Sequence, residues 1–142
     1  MTEHIFYTVV RSTEVDTIGH LNNAKYLEYM EWGRFDWIIK AGLSLEELHR
    51  RGILPVVVNI NVNYRKELRM GDEVKIVSKP VKYGSKSFVV RHELFNAKDE
   101  LVCDADVTMV MIDAKERKTT DLPEEILSTF TSTETIKEAS SK

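Results

Sequence analysis

Across 142 residues the chain has a single cysteine, Cys103, so it cannot close an intrachain disulfide. It has no apolar stretch long enough to cross a bilayer; the longest candidate is the short run around Ile53 to Ile60. It has no excess of positive charge. A net charge of −3 argues against a nucleic-acid binder, which usually carries a basic face, and against an electrostatic membrane anchor. The opening residues Met1-Thr2-Glu3-His4-Ile5 lack the basic and then apolar regions of a secretory signal, so cytoplasm is the expected location. No cluster of His and Cys has zinc spacing, so no metal site is expected. No Gly-x-Ser-x-Gly elbow supports a serine hydrolase, and no Gly-rich phosphate loop or dinucleotide fingerprint is present.

What is present reads as an ordinary globular domain. Hydrophobic residues make up 42% and charged residues 30%, and the length fits one domain with one core. That domain is expected over residues 1–131, followed by a polar tail over 132–142 rich in Ser, Thr, Glu and Lys. Ile5 to Arg11 is a plausible first strand. From Asn22 to Ala41 the period turns helical, with Leu27, Met30, Arg34, Trp37, Ile38 and Ala41 at spacings of three and four. Tyr26, Tyr29, Gly33 and Ile39 widen that surface, which predicts a helix wrapped by the rest of the fold. Gly42 is placed to end it. Leu45 to Arg50 reads as a short second helix.

After Gly52 the period changes to two. Val58, Ile60, Val62 and Tyr64 share one face, and Asn59, Asn61, Asn63 and Arg65 the other. Turns are expected at Met70-Gly71-Asp72, at Tyr83-Gly84-Ser85 and over Asn96 to Glu100. They separate strands marked by Val74 and Ile76, by Phe88, Val90, His92 and Leu94, and by the alternation from Leu101 to Met111. One long helix and an antiparallel sheet make the fold class α+β.

The chemistry concentrates in Asp16-Thr17-Ile18-Gly19-His20-Leu21-Asn22-Asn23-Ala24-Lys25-Tyr26. An acid, a glycine, a histidine and two amides run directly into the long helix. Unpaired N–H groups at a helix start attract negative charge. A carboxylate facing such a site is the minimum equipment for hydrolysing an activated acyl group. Read alone, Asp16 and Asn22 would equally serve as turn and helix caps.

The run resembles the start of the hotdog-fold acyl-CoA thioesterases of the 4-hydroxybenzoyl-CoA thioesterase type. In those proteins an Asp, a Gly, an apolar residue, then His, Tyr or Asn, an Ala and a Tyr lead into the central helix. The matching positions here are Asp16, Gly19, Leu21, Asn23, Ala24 and Tyr26. The resemblance implies a curved antiparallel sheet around one long helix, a homodimer or homotetramer, and an acyl-CoA substrate. It implies no metal or organic cofactor. Asp16 would attack the thioester carbon or activate water, and the Asn23 backbone N–H would polarise the carbonyl. His20 is a general-base candidate by its ordinary pKa, although its position matches an apolar residue in many relatives; there it would shape the loop or touch the ligand.

Gly19, Asn22 and Tyr26 are the expected substrate contacts beside these. Lys82, Ser85, Lys86 and Ser87, around the Tyr83-Gly84 turn, would meet the CoA nucleotide and pantetheine, with Arg65, Lys66 and Arg91 as further candidates. Glu31 is expected to pair with Arg34 or a strand residue, or to supply a second acid. Trp32, Phe35, Trp37, Tyr64 and Met109 would set the length of an acyl tunnel. The His-Phe-x-Gly motif of hotdog dehydratases is absent. Two other readings stay open: hydrolysis of esters of acyl carrier protein, and a non-catalytic acyl-binding protein.

Overall fold

In the computed structural model, residues 3–131 and 136–137 are described. Strand β1 spans His4–Val9 and gives way to a 3₁₀ turn at Ser12–Glu14. Helix α1 spans Asn23–Lys40, one residue inside the expected limits at each end. The Asn22 side chain starts it by accepting the Ala24 N–H at 2.8 Å. Helix α2, Leu45–Arg51, begins at a Ser44 cap and ends where Gly52 turns left-handed, at φ +67°.

The sheet is built from β2 (Ile53–Tyr64), β3 (Glu73–Tyr83), β4 (Ser87–Phe95) and β5 (Leu101–Asp113), with β1 at one edge. A short β6, Lys118–Thr119, pairs with β5, and helix α3 follows at Glu124–Thr131. The strand order is β1-β3-β4-β5-β2, and each neighbouring pair in it is antiparallel. The tail expectation falls mostly outside the described residues; within it, β7 (Ile136–Lys137) pairs in parallel with Lys82 and Tyr83.

That order has one consequence for the site. β2 lies at the far edge, beside β5, while β3 lies next to β1. Residues 65–72 therefore cross the end of the sheet and meet the start of α1. There the Leu68 carbonyl accepts the Leu21 N–H at 2.7 Å, and the Asp72 carbonyl accepts the Val10 N–H at 2.9 Å.

α1 buries Tyr26, Tyr29, Met30, Gly33, Arg34, Trp37 and Ile38. Each large apolar member contributes about 1.5–3 kcal/mol by leaving water. Gly33 lets the helix close on β3, because a Cβ there would stand 3.0 Å from Ile76 Cγ2 and 3.1 Å from Ser78 Oγ. Three details depart from the sequence pattern. Leu27 is half-buried and Ala41 lies past the helix end. A bulge between Val57 and Asn59 leaves Val58 without a register partner, so Val57, opposite Met109, takes the inner-face position expected of Val58. The curled antiparallel sheet holds the helix as expected: α1 packs on β1 and β3 and reaches β4 through Trp37 on Phe88 and Arg34 on His92, while Phe35 and Ile39 on the helix and Ile60 and Tyr64 on β2 remain exposed.

Candidate active site

The segment from Val15 to Leu21 folds into a small closed loop. Val15 and Leu21 form an antiparallel bridge, and the Asp16 N–H donates to the His20 carbonyl at 2.8 Å. Gly19, at φ +84°, turns the chain and donates its N–H to the Asp16 carbonyl at 3.0 Å. The Asp16 side chain completes the loop. Its Oδ1 accepts the N–H groups of Ile18 and His20, both at 3.1 Å. Its Oδ2 has no donor among the described residues, and the residue is exposed. One oxygen anchors the carboxylate and the other is open to a reactant.

The loop runs into the helix start. The Asn22 N–H donates to the Glu14 carbonyl at 3.0 Å, Ala24 donates to the Asn22 side chain, and Lys25 donates to the Asn22 carbonyl at 2.8 Å. The Asn23 N–H has no acceptor among the described residues. It is the spare donor that a helix start leaves over.

Asp16 and Asn23 line one hollow of about 380 Å³ together with His20, Leu21, Tyr26 and the crossing segment Tyr64 to Glu67. Tyr26 donates its hydroxyl to the Lys66 carbonyl at 3.1 Å, and burial pushes its phenol up to about 12, so it remains protonated. Tyr64 stands edge-on to it at 5.3 Å and donates to the Asn23 carbonyl at 3.3 Å. His20 Nε2 lies 3.3 Å from the Glu67 carboxylate, which also holds Arg69.

At the rim, Arg65 is held at 2.8 Å by the buried Asp104, and Lys66 lies 3.5 Å from Glu100. Burial pushes the Asp104 carboxyl up. Hydrogen bonds from Arg65 and Asn63, with the Arg65 and Arg91 charges, outweigh that and leave it below the usual carboxylate range.

The sequence-selected residues fall into two groups. Asp16, His20, Asn23, Tyr26, Arg65 and Lys66 share the hollow, with Gly19 and Asn22 in its framing loop. Lys82, Ser85, Lys86 and Ser87 lie elsewhere in a single chain. Lys86 pairs with Asp121 at 3.0 Å, the Ser85 carbonyl accepts the Leu122 N–H at 2.9 Å, and Ser87 is buried. The adjoining Phe88 packs on Trp37, toward the C-terminal end of a helix about 27 Å long.

Glu31 does not pair with Arg34. It is exposed, and Arg34 turns inward to His92, Nη1 to Nε2 at 3.2 Å, with Ser78 Oγ on the far ring nitrogen at 2.8 Å. Sequence reasoning missed Glu67, which arrives with the crossover; the signal for it lay in strand order, which periodicity does not encode.

A larger hollow of about 640 Å³ lies at the opposite end of α1, between Glu3–Ile5 and Trp37–Ala41. It brings no carboxylate to an open helix start, and its His4 and Lys40 both engage Asp36. Among the described residues no group of acidic, His and Cys side chains could hold a metal ion, and no helix is long and apolar enough to cross a membrane.

Comparison with known proteins converges on one group. A family model described as the Thioesterase-like superfamily matches residues 10–130. The long-chain acyl-CoA thioesterase FadM of Escherichia coli (strain K12) is 34% identical over 118 residues, covering 82% of this chain and 89% of that protein. The acyl-CoA thioester hydrolase YbgC of Escherichia coli O6:H1 is 25% identical over 117 residues, covering 82% and 87%. Among solved structures, a DHNA-CoA thioesterase from Staphylococcus aureus superposes with a TM-score of 0.83 at 24% identity, covering 96% of this chain and 99% of that one.

Proposed function

Because the chain belongs to the Thioesterase-like superfamily, we propose that it is an acyl-CoA thioesterase whose chemistry is carried by Asp16 and the helix start at Asn23. The observation that carries this reading is the shared hollow. Two residues that line it carry, among the described residues, a carboxylate oxygen without a donor and a backbone N–H without an acceptor. The thioester carbonyl oxygen accepts the Asn23 N–H, which stabilises the negative charge as the carbon becomes tetrahedral; a donor of this kind is worth about 3–4 kcal/mol of barrier. The Asp16 Oδ2 then acts in one of two ways. It adds to the carbon, expels the CoA thiolate and leaves an anhydride that water cleaves. Or it takes a proton from a water that adds to the same carbon. Both routes give a free acid and CoA.

His20 lines the substrate path and is turned to Glu67. Arg65 and Lys66 at the rim suit the phosphates of CoA. Their charge is offset by Asp104, Glu100 and Glu67, so the rim is not the net basic patch that an acidic carrier protein would need. This favours CoA esters over esters of acyl carrier protein. The domain over residues 1–131 works as a cytoplasmic homodimer in this reading, since the free edge of β2 and its open inner face call for cover. A second copy would line the acyl tunnel beside Phe35 and Tyr64, and it is where Lys82, Ser85, Lys86 and Ser87 would reach a shared ligand. Light scattering at micromolar concentration tests that part, and a strict monomer contradicts it.

The central test is free-thiol release from a panel of acyl-CoA esters by wild type and Asp16→Asn. Loss of about 10²–10⁴-fold in kcat, with the variant still folded, supports the assignment. Turnover that survives the substitution removes Asp16 from the mechanism. Binding without turnover on any CoA or carrier-protein ester points to an acyl-binding protein instead.

A further inference from the structure

Glu14 is a buried carboxylate two residues before Asp16, and it touches no part of the hollow. Burying a carboxylate costs free energy unless donors meet it. Here both donors meet the same oxygen. Oε1 accepts the Arg11 N–H at 2.9 Å and the Tyr29 hydroxyl at 2.7 Å. Tyr29 is fully buried in the second turn of α1. Burial, and then the hydrogen bond to Glu14, push its phenol far above the ordinary range, so it stays protonated as the donor. The Glu14 backbone takes part as well, its carbonyl accepting the Asn22 N–H at 3.0 Å.

These contacts join two segments: the 3₁₀ turn that leads into the Asp16 loop, with its cap Arg11, and the helix that carries the Asn23 N–H. The loop is rigid within itself, because the Val15–Leu21 bridge and the bonds to Asp16 Oδ1 close it. Its downstream limb continues into α1 by covalent connection. Among the described residues, the hydrogen bonds that tie its upstream limb to the helix run through Glu14, one from its backbone and one from its side chain.

We propose that Glu14 and Tyr29 are positioning residues that set the separation between the Asp16 carboxylate and the Asn23 N–H. The inference rests on the thioesterase reading above. Neither residue touches the acyl group. They act through the loop and the helix start, and the reacting groups tolerate little displacement: a shift of about 1 Å costs on the order of 10²-fold in rate.

The test is steady-state thiol release with one ester that wild type hydrolyses. Wild type, Asp16→Asn, Tyr29→Phe, Glu14→Ala and Glu14→Gln are assayed side by side, with folding checked by circular dichroism. Tyr29→Phe and Glu14→Ala are expected to lower kcat about 10–100-fold while KM stays within about threefold. Glu14→Gln keeps a carbonyl acceptor for both donors and is expected to recover most of kcat. Tyr29→Phe changes one atom, so it answers the question even if Glu14→Ala does not fold. A folded Tyr29→Phe protein with kcat within about twofold of wild type overturns the proposal, even if its melting temperature falls. If Asp16→Asn retains activity, or wild type cleaves no ester at all, the thioesterase reading fails and this inference fails with it. Collapse in Asp16→Asn with full activity in Tyr29→Phe refutes the positioning role alone.

Discussion

Lowering the pH from 7 to 5 will destabilise the protein through His92, and the amount can be worked out. His92 is fully buried between α1 and the sheet, with the Arg34 guanidinium 3.2 Å from Nε2 and Ser78 Oγ 2.8 Å from Nδ1. Burial first, and then the Arg34 charge, hold its pKa well below the ordinary value. In the folded state the ring is neutral throughout this range. In the unfolded chain an ordinary histidine takes up its proton near pH 6.5. The unfolded state therefore binds more protons as pH falls, and stability is whole above about pH 7 and declines below about 6.5. The slope approaches about 1.4 kcal/mol per pH unit, which integrates to about 2 kcal/mol between pH 7 and 5. Carboxylates with lowered pKa, such as Asp36 and Asp104, lose their contribution only below about pH 4.5, outside this window. Urea unfolding at a fixed protein concentration reads the effect as a fall in midpoint of about 1 M. His92→Gln keeps an acceptor for Arg34 but does not titrate, so its midpoint should hold nearly steady over the same range. If wild type and His92→Gln decline in parallel, the stated cause is wrong.

Gly33→Ala sets two effects against each other. Alanine gains up to about 1 kcal/mol of helix propensity, but its Cβ meets Ile76 and Ser78 at 3.0 and 3.1 Å, and such overpacking costs about 1–3 kcal/mol. Both neighbours are buried and Ser78 is held by His92, so the clash should win and lower the melting temperature by a few degrees; a more stable variant would show that α1 can lift off β3 at little cost. Cys103 is fully buried, and its thiol is pushed up to about 12 by burial and then by the neighbouring Asp104. It should resist a thiol-directed chromogenic reagent at pH 8 in native protein and react at once in denaturant, and rapid native labelling would contradict its placement.

Local order was largely legible in the chain. The Asn22 cap, the helix it opens, the Gly42 stop and the alternation along β5 follow from residue type and period, and each appears within a residue or two of its expected place. The meeting of Asp16 with Asn23 was legible for the same reason, since a short loop and a helix start suffice to form it. What period could not give was neighbourhood. The alternation in β2 says that one face is apolar, not that the strand pairs with β5 and stands at an edge. The route of residues 65–72 across the helix start follows from that order, and Glu67 comes with it. Arg34 misled in another way. A cation three residues from Glu31 suggests a pair, but the buried His92 acceptor on β4 draws it inward.

The bonds that hold the Asp16 loop have a bearing on how this chain could change over generations. Nearly every contact that shapes the loop comes from residues 11–29, a contiguous stretch, with the Leu68 carbonyl as the main outside tether. The facing wall of the hollow comes from Tyr64 at the end of β2 and from the crossing residues Arg65 to Glu67. Inheritance can therefore reshape one wall without touching the other: substitutions over 64–67 alter the hollow, while one uninterrupted stretch of coding sequence preserves the Asp16 loop.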